Sequence, residues 1–353
     1  DFDADGHGDL AIGVPRADPG VADGGAVRVH RGLADGLPEE TPTKVLGGLF
    51  SRDELGRALV ACDFNADGVD DLVAVAQQGE NRALLKPFND QGAIYLFLGQ
   101  PEEGLPTKAD QLLYGHLLID GELVQKGALR LGRSVAAGDF DGDGACDLAI
   151  STINWSFSET QVNREDGGVF LYRGRHAEAD EDGGLEETPS RIWAANEENS
   201  VGTRFGHSLA MADINGDGLA DLLISQPRYN VPGQSGGNHG AVNLFWGAPL
   251  ANHPPDEVIA PSEADWRGLG SLPNVLFGHD IHIADVGSDG VKDIIVTDPR
   301  GLNEDGVRSG VAYVYTVGED TQLPDEPSQV VEGLEPLDYF GTGVTVTDGA
   351  VAV

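Results

Sequence analysis

Asp139-Phe-Asp141-Gly-Asp143-Gly144-Ala-Cys-Asp147 is the stretch of this sequence that decides the fold. The same nine-residue pattern, with Asp or Asn at position three, Gly at position six and Asp at position nine, starts at Asp1, Asp63 and Asp213. A fifth copy starts at Asp285 and has Gly at position three. Successive copies start 62, 76, 74 and 72 residues apart, which indicates an internal repeat.

The sequence around each copy repeats as well. A Gly preceded by Phe or Leu stands seven residues before four of the copies, and again seven residues before Asp348. Runs such as Asp-Leu-Ala-Ile follow the acidic loop, and a third run such as Gly92-Ala-Ile-Tyr-Leu-Phe comes later. Weaker fourth strands are expected near 43–46, 111–114, 190–193, 257–259 and 329–331. Four short strands per repeat, with no sustained 3.6-residue period, predict an all-β propeller and exclude a helical solenoid.

Composition limits the possible functions. The 353 residues carry a formal net charge of −37, which disfavours binding to nucleic acid phosphates and suits binding to cations. No apolar run is long enough to span a membrane. The two cysteines, Cys62 and Cys146, are too few for a disulfide framework. A bond between them is possible, but two small, partly buried thiols are the favoured interpretation.

The acidic loops have the chemistry of calcium sites. Calcium takes six to eight oxygen ligands in a tolerant geometry, and alternate residues of a tight loop can direct carboxylates inward. Positions one, three and five carry Asp or Asn, Gly at position six permits the turn, and position seven offers a backbone carbonyl. An EF-hand is excluded because position twelve is apolar in every copy: Ile12, Ala74, Ile150, Ile224 and Val296. The simpler alternative is that these loops are ordinary Asp-Gly hairpin turns that bind no ion. Four loops with the same pattern make that alternative untenable.

Together these features resemble the FG-GAP repeat. The pattern combines Phe-Gly, the acidic loop and a Gly-Ala-Pro-like segment, here loosely represented by Gly13-Val14-Pro15 and Ser225-Gln226-Pro227. FG-GAP repeats form the propeller of integrin α-subunits and also occur in glycosylphosphatidylinositol-specific phospholipase D and bacterial surface proteins. The resemblance covers essentially the whole chain. It implies a β-propeller of four-stranded blades, calcium bound in each hairpin between strands A and B, and a ligand role for the Asp at position nine.

Four calcium sites are therefore predicted, with a fifth for which calcium and a plain turn both remain open. The predicted ligands of the four sites are Asp1, Asp3, Asp5, His7 and Asp9; Asp63, Asn65, Asp67, Val69 and Asp71; Asp139, Asp141, Asp143, Ala145 and Asp147; and Asp213, Asn215, Asp217, Leu219 and Asp221. The fifth set is Asp285, Asp289, Val291 and Asp293, without an oxygen ligand at Gly287.

The repeat spacing predicts one propeller over residues 1–353, as an incomplete piece of a seven-bladed ring. The predicted blades are 1–50 without its inner strand, 51–126, 127–200, 201–272, 273–336 and a partial sixth blade at 337–353. The alternative is a five-bladed ring, closed by pairing of Gly341–Thr347 beside Asp9–Val14. The open piece is favoured because Asp348 keeps the spacing of the repeat.

No catalytic motif stands out. The sequence contains no H-E-x-x-H, G-x-S-x-G or phosphate-binding Gly-rich loop, and His207 and His279 occupy the repeat position after Phe-Gly. Integrins bind ligands on the face opposite the calcium hairpins, and the corresponding loops here are long. The candidate ligand-face residues on them are Trp155, Phe157, Arg228, Tyr229 and Trp266, although for any single ring packing on its own loop is slightly favoured.

The favoured function is a secreted or cell-surface, non-enzymatic adhesion module that binds an extracellular protein or carbohydrate and neither nucleic acid nor membrane. The alternatives are a non-catalytic propeller attached to a secreted hydrolase or lyase, and a sugar-binding, lectin-like propeller. A catalytic domain elsewhere in a longer chain would favour the first alternative. Equivalent aromatic and polar residues repeated in every blade would favour the second.

Overall fold

The computed structural model describes residues 1–79, 90–115, 117–119, 122–124, 129–154, 165–178, 183–195, 202–250, 258–318, 322–343, 345–347 and 350–352. Its strands are β1 (Leu10–Val14), β2 (Ala26–His30), β3 (Lys44–Gly47), β4 (Leu55–Cys62), β5 (Asp71–Ala76), β6 (Ala93–Phe97), β7 (Gln111–Tyr114), β8 (Leu117–Ile119), β9 (Glu122–Val124), β10 (Val135–Gly138), β11 (Asp147–Thr152), β12 (Gly168–Tyr172), β13 (Gly174–Arg175), β14 (Gly184–Leu185), β15 (Arg191–Ala194), β16 (Leu209–Ala212), β17 (Asp221–Gln226), β18 (Ala241–Phe245), β19 (Val258–Ile259), β20 (Trp266–Leu269), β21 (Ile281–Ala284), β22 (Asp293–Asp298), β23 (Val311–Tyr315), β24 (Gln329–Glu332), β25 (Thr345–Thr347) and β26 (Ala350–Ala352). A short 3-10 helix spans Pro261–Glu263.

The strands form antiparallel sheets that follow the sequence repeat, and we call these sheets blades. Blade 1 is β1-β2-β3, blade 2 is β4-β5-β6-β7, blade 3 is β10-β11-β12-β15, blade 4 is β16-β17-β18-β20, and blade 5 is β21-β22-β23-β24. In blades 2 to 5 all six residues of the second strand are buried, as expected for a strand covered on both faces. The prediction of an all-β fold built from four-stranded blades is confirmed.

The blades succeed one another through their inner strands. Strands β4, β10, β16, β21 and β25 lie beside one another in that order, with β1 beside β4. The hydrophobic core lies between the sheets. Phe64 of blade 2 packs with Phe170 of blade 3, and Trp193 of blade 3 packs on Phe245 of blade 4 with ring centroids 5.7 Å apart. Each blade therefore completes its core only against its neighbour, as in other repeat architectures.

A glycine before each third strand lets adjacent blades approach closely. Gly240 has φ +90° and forms a parallel bridge with Phe277 of the next blade. A Cβ atom at Gly240 would lie only 2.1 Å from the Phe277 carbonyl oxygen. The positive φ and the lack of room for a Cβ atom therefore both require Gly at this position. The equivalent glycines Gly25, Gly92, Gly167 and Gly310 meet the backbone of the next blade in the same way.

Strand direction gives each blade two distinct ends. Strands β16 and β17 pair antiparallel from Leu209 opposite Ile224 to Ala212 opposite Asp221. The acidic loop 213–221 therefore lies at one end of the blade, which we call the hairpin face. The Phe205-Gly206 pair and the residues after Gln226 lie at the other end, which we call the opposite face.

Two expectations about strands and loops are wrong. Residues 258–259 do not form the fourth strand of blade 4: β19 adds in parallel to β15 of blade 3, and β20 is the fourth strand of blade 4. The predicted loop 115–130 contains the hairpin β8–β9. The alternative five-bladed closure is not formed between the described residues, since β25 lies in a sheet with β26 and β1 lies in a separate sheet with β2 and β3.

The favoured interpretation of the cysteines is also wrong. Cys62 and Cys146 form a disulfide between blades 2 and 3, with Cα atoms 6.1 Å apart. The two residues occupy different positions of their repeats, at the end of β4 and immediately before β11. Only the packing of neighbouring blades brings them together.

Candidate metal centres

The five acidic loops share one backbone hydrogen-bond pattern. We number them loop 1 (1–9), loop 2 (63–71), loop 3 (139–147), loop 4 (213–221) and loop 5 (285–293). In every loop the position-one carboxylate accepts the N–H of position six at 2.8 or 2.9 Å. The position-five carboxylate accepts the N–H of position seven at 2.9 or 3.0 Å. These bonds curl each loop so that successive carboxylates turn toward a common centre.

The aspartate at position nine connects each hairpin to the third strand of its blade. The Asp147 carboxylate is fully buried and accepts the N–H groups of Phe140 and Gly174, both at 3.0 Å. The equivalent residues Asp9, Asp71, Asp221 and Asp293 accept the same two kinds of donor. Burial raises the pKa of Asp71 and of Asp147 to about 7, and that of Asp221 to about 6, against the opposing effect of these donors.

The carboxylates converge closely enough to share one ion. In loop 1 oxygens of Asp1, Asp3 and Asp9 lie within 4.8 Å of one another, and oxygens of Asp139, Asp141 and Asp147 do so in loop 3. Calcium binds oxygens at about 2.3–2.6 Å, so a single ion can bridge groups with this separation. In loops 2 and 4 the amide oxygens of Asn65 and Asn215 occupy position three and accept the position-five N–H at 3.3 and 2.9 Å.

Loop 5 keeps this arrangement apart from position three. Asp285 accepts the N–H of Gly290 at 2.9 Å, and Asp293 accepts the N–H of Val286 at 2.9 Å and of Val317 at 3.0 Å. Gly287 contributes no side-chain oxygen. The hairpin therefore retains its shape with one candidate ligand fewer than the other four loops.

Comparison with known proteins identifies the repeat. The FG-GAP repeat model matches residues 1–30, 55–97 and 205–242. This chain carries FG-GAP repeats. A phosphatidylinositol-glycan-specific phospholipase D from Dictyostelium discoideum is 31% identical over 158 residues, which are 41% of this chain and 16% of that protein. The Homo sapiens phospholipase of the same name is 29% identical over 234 residues, covering 66% and 25%.

Integrins are among the relatives of this FG-GAP chain. Integrin alpha-V from Gallus gallus is 30% identical over 210 residues, which are 58% of this chain and 17% of the integrin. The chain spans a quarter or less of each of these three relatives. Among solved structures, the rhamnogalacturonan lyase PL11 of Bacillus licheniformis aligns over 91% of this chain and 60% of the lyase with a TM-score of 0.42 and 11% identity. Among the described residues, no helix has the length and apolar character needed to cross a bilayer.

Arginine distinguishes two kinds of FG-GAP loop in this chain. In loop 3 the guanidinium of Arg173 pairs with Asp141 at 2.6 Å and with Asp143 at 2.8 Å. In loop 1 Arg31 pairs with positions three and five in the same way, at 2.8 Å each. Loops 2 and 4 have Leu98 and Trp246 at the equivalent place, and there the position-three Asn amide donates to the position-five carboxylate instead.

The two arrangements carry the same charge. At ligand positions one, three, five and nine, loops 1 and 3 combine four carboxylates with one guanidinium, whereas loops 2 and 4 have three carboxylates and no guanidinium, so each ligand set totals −3. Asp70, at position eight of loop 2, lies outside this set and pairs with the amino group of Asp1 at 2.8 Å. In both arrangements a side-chain donor, either the arginine guanidinium or the Asn amide, also holds the position-five carboxylate in place. Arg31 and Arg173 therefore compensate for the additional aspartate at position three.

This compensation predicts how loop 3 responds to mutation. Asp141→Asn alone reduces the loop to −2, and we expect calcium affinity there to fall on the order of tenfold, because affinity follows the charge of the ligand set. Adding Arg173→Leu restores −3 and reproduces the pattern of loop 4, so affinity should recover. Isothermal titration of the two variants measures this directly. Equal calcium affinity in the single and double variants would contradict the compensation.

The candidate ligand-face residues have different surroundings. Tyr229 is 5% exposed and lies beneath the Arg267 guanidinium, 4.1 Å from the ring centroid. Trp266 is on β20, where it packs edge to face on Tyr315 at 5.3 Å and donates from its indole N–H to the Pro324 carbonyl at 3.3 Å. Both rings are packed, and Trp266 lies on a strand rather than on the predicted loop. Arg228 lies on the opposite face, whereas Trp155 and Phe157 lie outside the described residues.

Residues that directly follow the Phe-Gly or Leu-Gly pairs of different blades form a polar cluster that the sequence analysis did not predict. Arg133 donates to Nε2 of His207 at 2.9 Å, and Nδ1–H of His207 donates to the His279 carbonyl at 3.1 Å. Burial, reinforced by Arg133, lowers the pKa of His207 to about 3, so this ring is neutral at physiological pH. The repeat alignment shows Arg57, Arg133, His207 and His279 at this one position, which was the available signal.

Proposed function

We propose that this chain is a calcium-stabilised, extracellular β-propeller that acts as a binding or adhesion module. The observation that carries the calcium assignment is the convergence of position-one, position-three and position-nine carboxylates within 4.8 Å in loops 1 and 3. The oxygen-only ligand set suits a hard cation, and the tolerant geometry favours calcium over magnesium, which retains its waters. Positions one, three, five and nine of loops 1 to 4 would hold the ion together with the position-seven carbonyl. Loop 5 would be a weaker fifth site.

Calcium has a structural role in this proposal. Three or four carboxylates in one loop repel each other, and burial disfavours their charge further. A bound cation offsets both the repulsion between the carboxylates and the cost of burying their charge. It also fixes the hairpin to the third strand of the blade, because the aspartate at position nine contacts both. The rigid hairpin face then supports the loops of the opposite face, where binding would occur.

Several observations support a binding role on the opposite face. Integrin alpha subunits are among the relatives, and their propellers give the precedent for adhesion. Arg228 and the residues around it border a cavity on this face. The Cys62–Cys146 disulfide fits an oxidising, extracellular location. An extracellular protein or carbohydrate is the proposed partner.

The principal alternative is a non-catalytic propeller domain within a secreted hydrolase or lyase. Its support is the similarity to phosphatidylinositol-glycan-specific phospholipase D, of which this chain matches about a quarter or less. In that case the opposite face would contact a catalytic domain or present substrate to it. A lectin-like propeller is the third candidate, and it predicts binding to sugars without a protein partner.

A face-blocking experiment tests where the partner binds. Both native cysteines are in the disulfide, so Ser235→Cys on the opposite face or Glu103→Cys beside loop 1 supplies a single free thiol for a bulky polyethylene glycol maleimide. The labelled proteins are screened in calcium against immobilised extracellular matrix proteins and polysaccharides. We expect the Ser235→Cys conjugate to lose at least about 90% of the binding, because the polymer covers the opposite face. The Glu103→Cys conjugate is the matched control and should bind normally; loss of binding only in this conjugate would contradict the assignment.

A further inference from the structure

A cavity of about 370 Å³ lies between blades 4 and 5 on the opposite face. Its walls come from the segments that precede β16 and β21 and from those that follow β17 and β22. The lining includes Arg204, Arg228 and Arg300, together with His207 and His279. Among the described residues it includes no Asp or Glu. This composition is unusual in a chain with 59 acidic and 22 basic side chains.

Two of these arginines, Arg204 and Arg228, are held close together by the carboxylate of Glu165. Glu165 accepts from Arg204 at 2.8 and 3.1 Å and from Arg228 at 2.9 Å. Burial and the neighbouring guanidinium groups of Arg204 and Arg300 lower the pKa of Arg228, which is the effect of crowded positive charge. Arg133 lies behind the cavity and donates to His207, which accepts as a neutral ring. Among the described residues that pair with these arginines, Glu165 is the one carboxylate, and it offsets one of their positive charges.

The guanidinium of Arg300 is available to bind a ligand in the cavity. It is exposed, lines the cavity, and has no carboxylate within 4.0 Å among the described residues. The His279 Nδ1 atom, which is shielded from solvent, also has no hydrogen-bond partner in the described part of the chain. Because this nitrogen is shielded from solvent, a ligand in the cavity would be held by the Arg300 guanidinium rather than by Nδ1 of His279.

Taken as a whole, the lining of the cavity is more polar than apolar. Asn238 and Asn274 provide two amide side chains, and the apolar contribution is confined to Pro227, Val275 and Leu276. Most small-molecule pockets are lined mainly by apolar and aromatic side chains. The ligand that fits this cavity is therefore anionic and polar over most of its surface, with hydroxyl groups for the amides.

We propose that this cavity binds a sugar acid, with the carboxylate of a hexuronate held by Arg300, Arg228 and Arg204 and its hydroxyls by Asn238 and Asn274. Guanidinium groups match carboxylates in a planar, two-pronged geometry. The cavity volume is in the range of small-ligand sites and exceeds the needs of an isolated inorganic ion. This inference rests on the proposed function in assigning binding to the opposite face, but it does not depend on calcium.

Titration of the calcium-loaded chain with galacturonate at low salt tests the proposal, with galactose as the matched neutral sugar. We expect galacturonate to bind with a Kd on the order of 1 mM, as is reasonable for a single small ligand, and to weaken with added salt. Galactose should bind at least about tenfold more weakly, because it lacks the charge-assisted hydrogen bonds. Sulfate, phosphate and a Glu-Glu dipeptide are titrated in parallel. Tighter binding of any of these three, or equal binding of galactose, would overturn the sugar-acid assignment.

The variant Arg300→Gln tests the residue assignment. Galacturonate affinity should fall by roughly tenfold or more, because a hydrogen-bonded charge is lost. Arg28→Gln, an exposed arginine on β2 of blade 1, is the control and should leave affinity unchanged. Melting curves verify folding, and unchanged affinity in folded Arg300→Gln would refute the site. If the face-blocking experiment succeeds while galacturonate does not bind, the proposed function stands and only this inference fails.

Discussion

Chelation of calcium should lower the melting temperature of this chain by more than about 10 °C. A ligand that binds only the folded state adds about 2.7 kcal/mol per site when its concentration is a hundredfold above Kd. Loops 1 to 4 lie in or beside different blades, and backbone hydrogen bonds join neighbouring loops, so their contributions should add to a first approximation. Four such sites would add roughly 11 kcal/mol, and 1 kcal/mol shifts the melting temperature of a domain of a few hundred residues by about 2 °C.

Differential scanning calorimetry in millimolar calcium and in chelator measures this effect, and isothermal titration of the stripped protein counts the sites. Asp139→Ala removes the position-one carboxylate of loop 3, which accepts N–H bonds at 2.9 and 3.1 Å, and should abolish one site and leave the others. Asp305→Ala is the control, an exposed aspartate outside the loops. Magnesium at the same concentration should give a smaller shift. A melting temperature that is insensitive to chelator would remove the calcium proposal altogether.

The features that sequence predicted correctly are those encoded within one repeat. The acidic loop follows from residues within nine positions of each other, and the buried second strand follows from an uninterrupted apolar run such as Asp71–Ala76. Gly240 shows the limit of this reasoning. Its recurrence before the third strand was visible, but the reason for it, contact with Phe277 of the next blade, belongs to the packing between repeats.

The features that sequence analysis missed depend on contacts between repeats. Strand β20 includes Arg267 and Gly268 and has little apolar signal, yet it pairs with β18, while the more apolar 258–259 segment joins the neighbouring blade. For Tyr229, nothing local in the sequence indicates that Arg267 of a later strand covers its ring. Arg133 and His207 are 74 residues apart, and only the stacking of blades 3 and 4 makes them neighbours.

The disulfide gives the second large effect that we expect. Replacing both Cys62 and Cys146 with Ala should reduce the free energy of unfolding by about 4 kcal/mol, because the bond closes a loop across a sequence separation of 84 residues and restricts the unfolded chain. Denaturant titration in calcium, under non-reducing conditions, measures the loss. The matched control is wild-type protein treated with a thiol reductant, which should approach the stability of the double variant.

The position of this bond adds a more specific expectation. Cys62 directly precedes Asp63 of loop 2, Cys146 directly precedes Asp147 of loop 3, and the Cys146 N–H donates to the Asp63 carbonyl at 2.9 Å. Loss of the bond should therefore weaken calcium binding at loops 2 and 3 more than at loop 4, which lies in a blade that the bond does not reach. A count of two free thiols in unreduced, denatured protein would contradict the disulfide. A count of zero with equal weakening at loops 2, 3 and 4 would show that the bond stabilises the propeller globally rather than through its two hairpins.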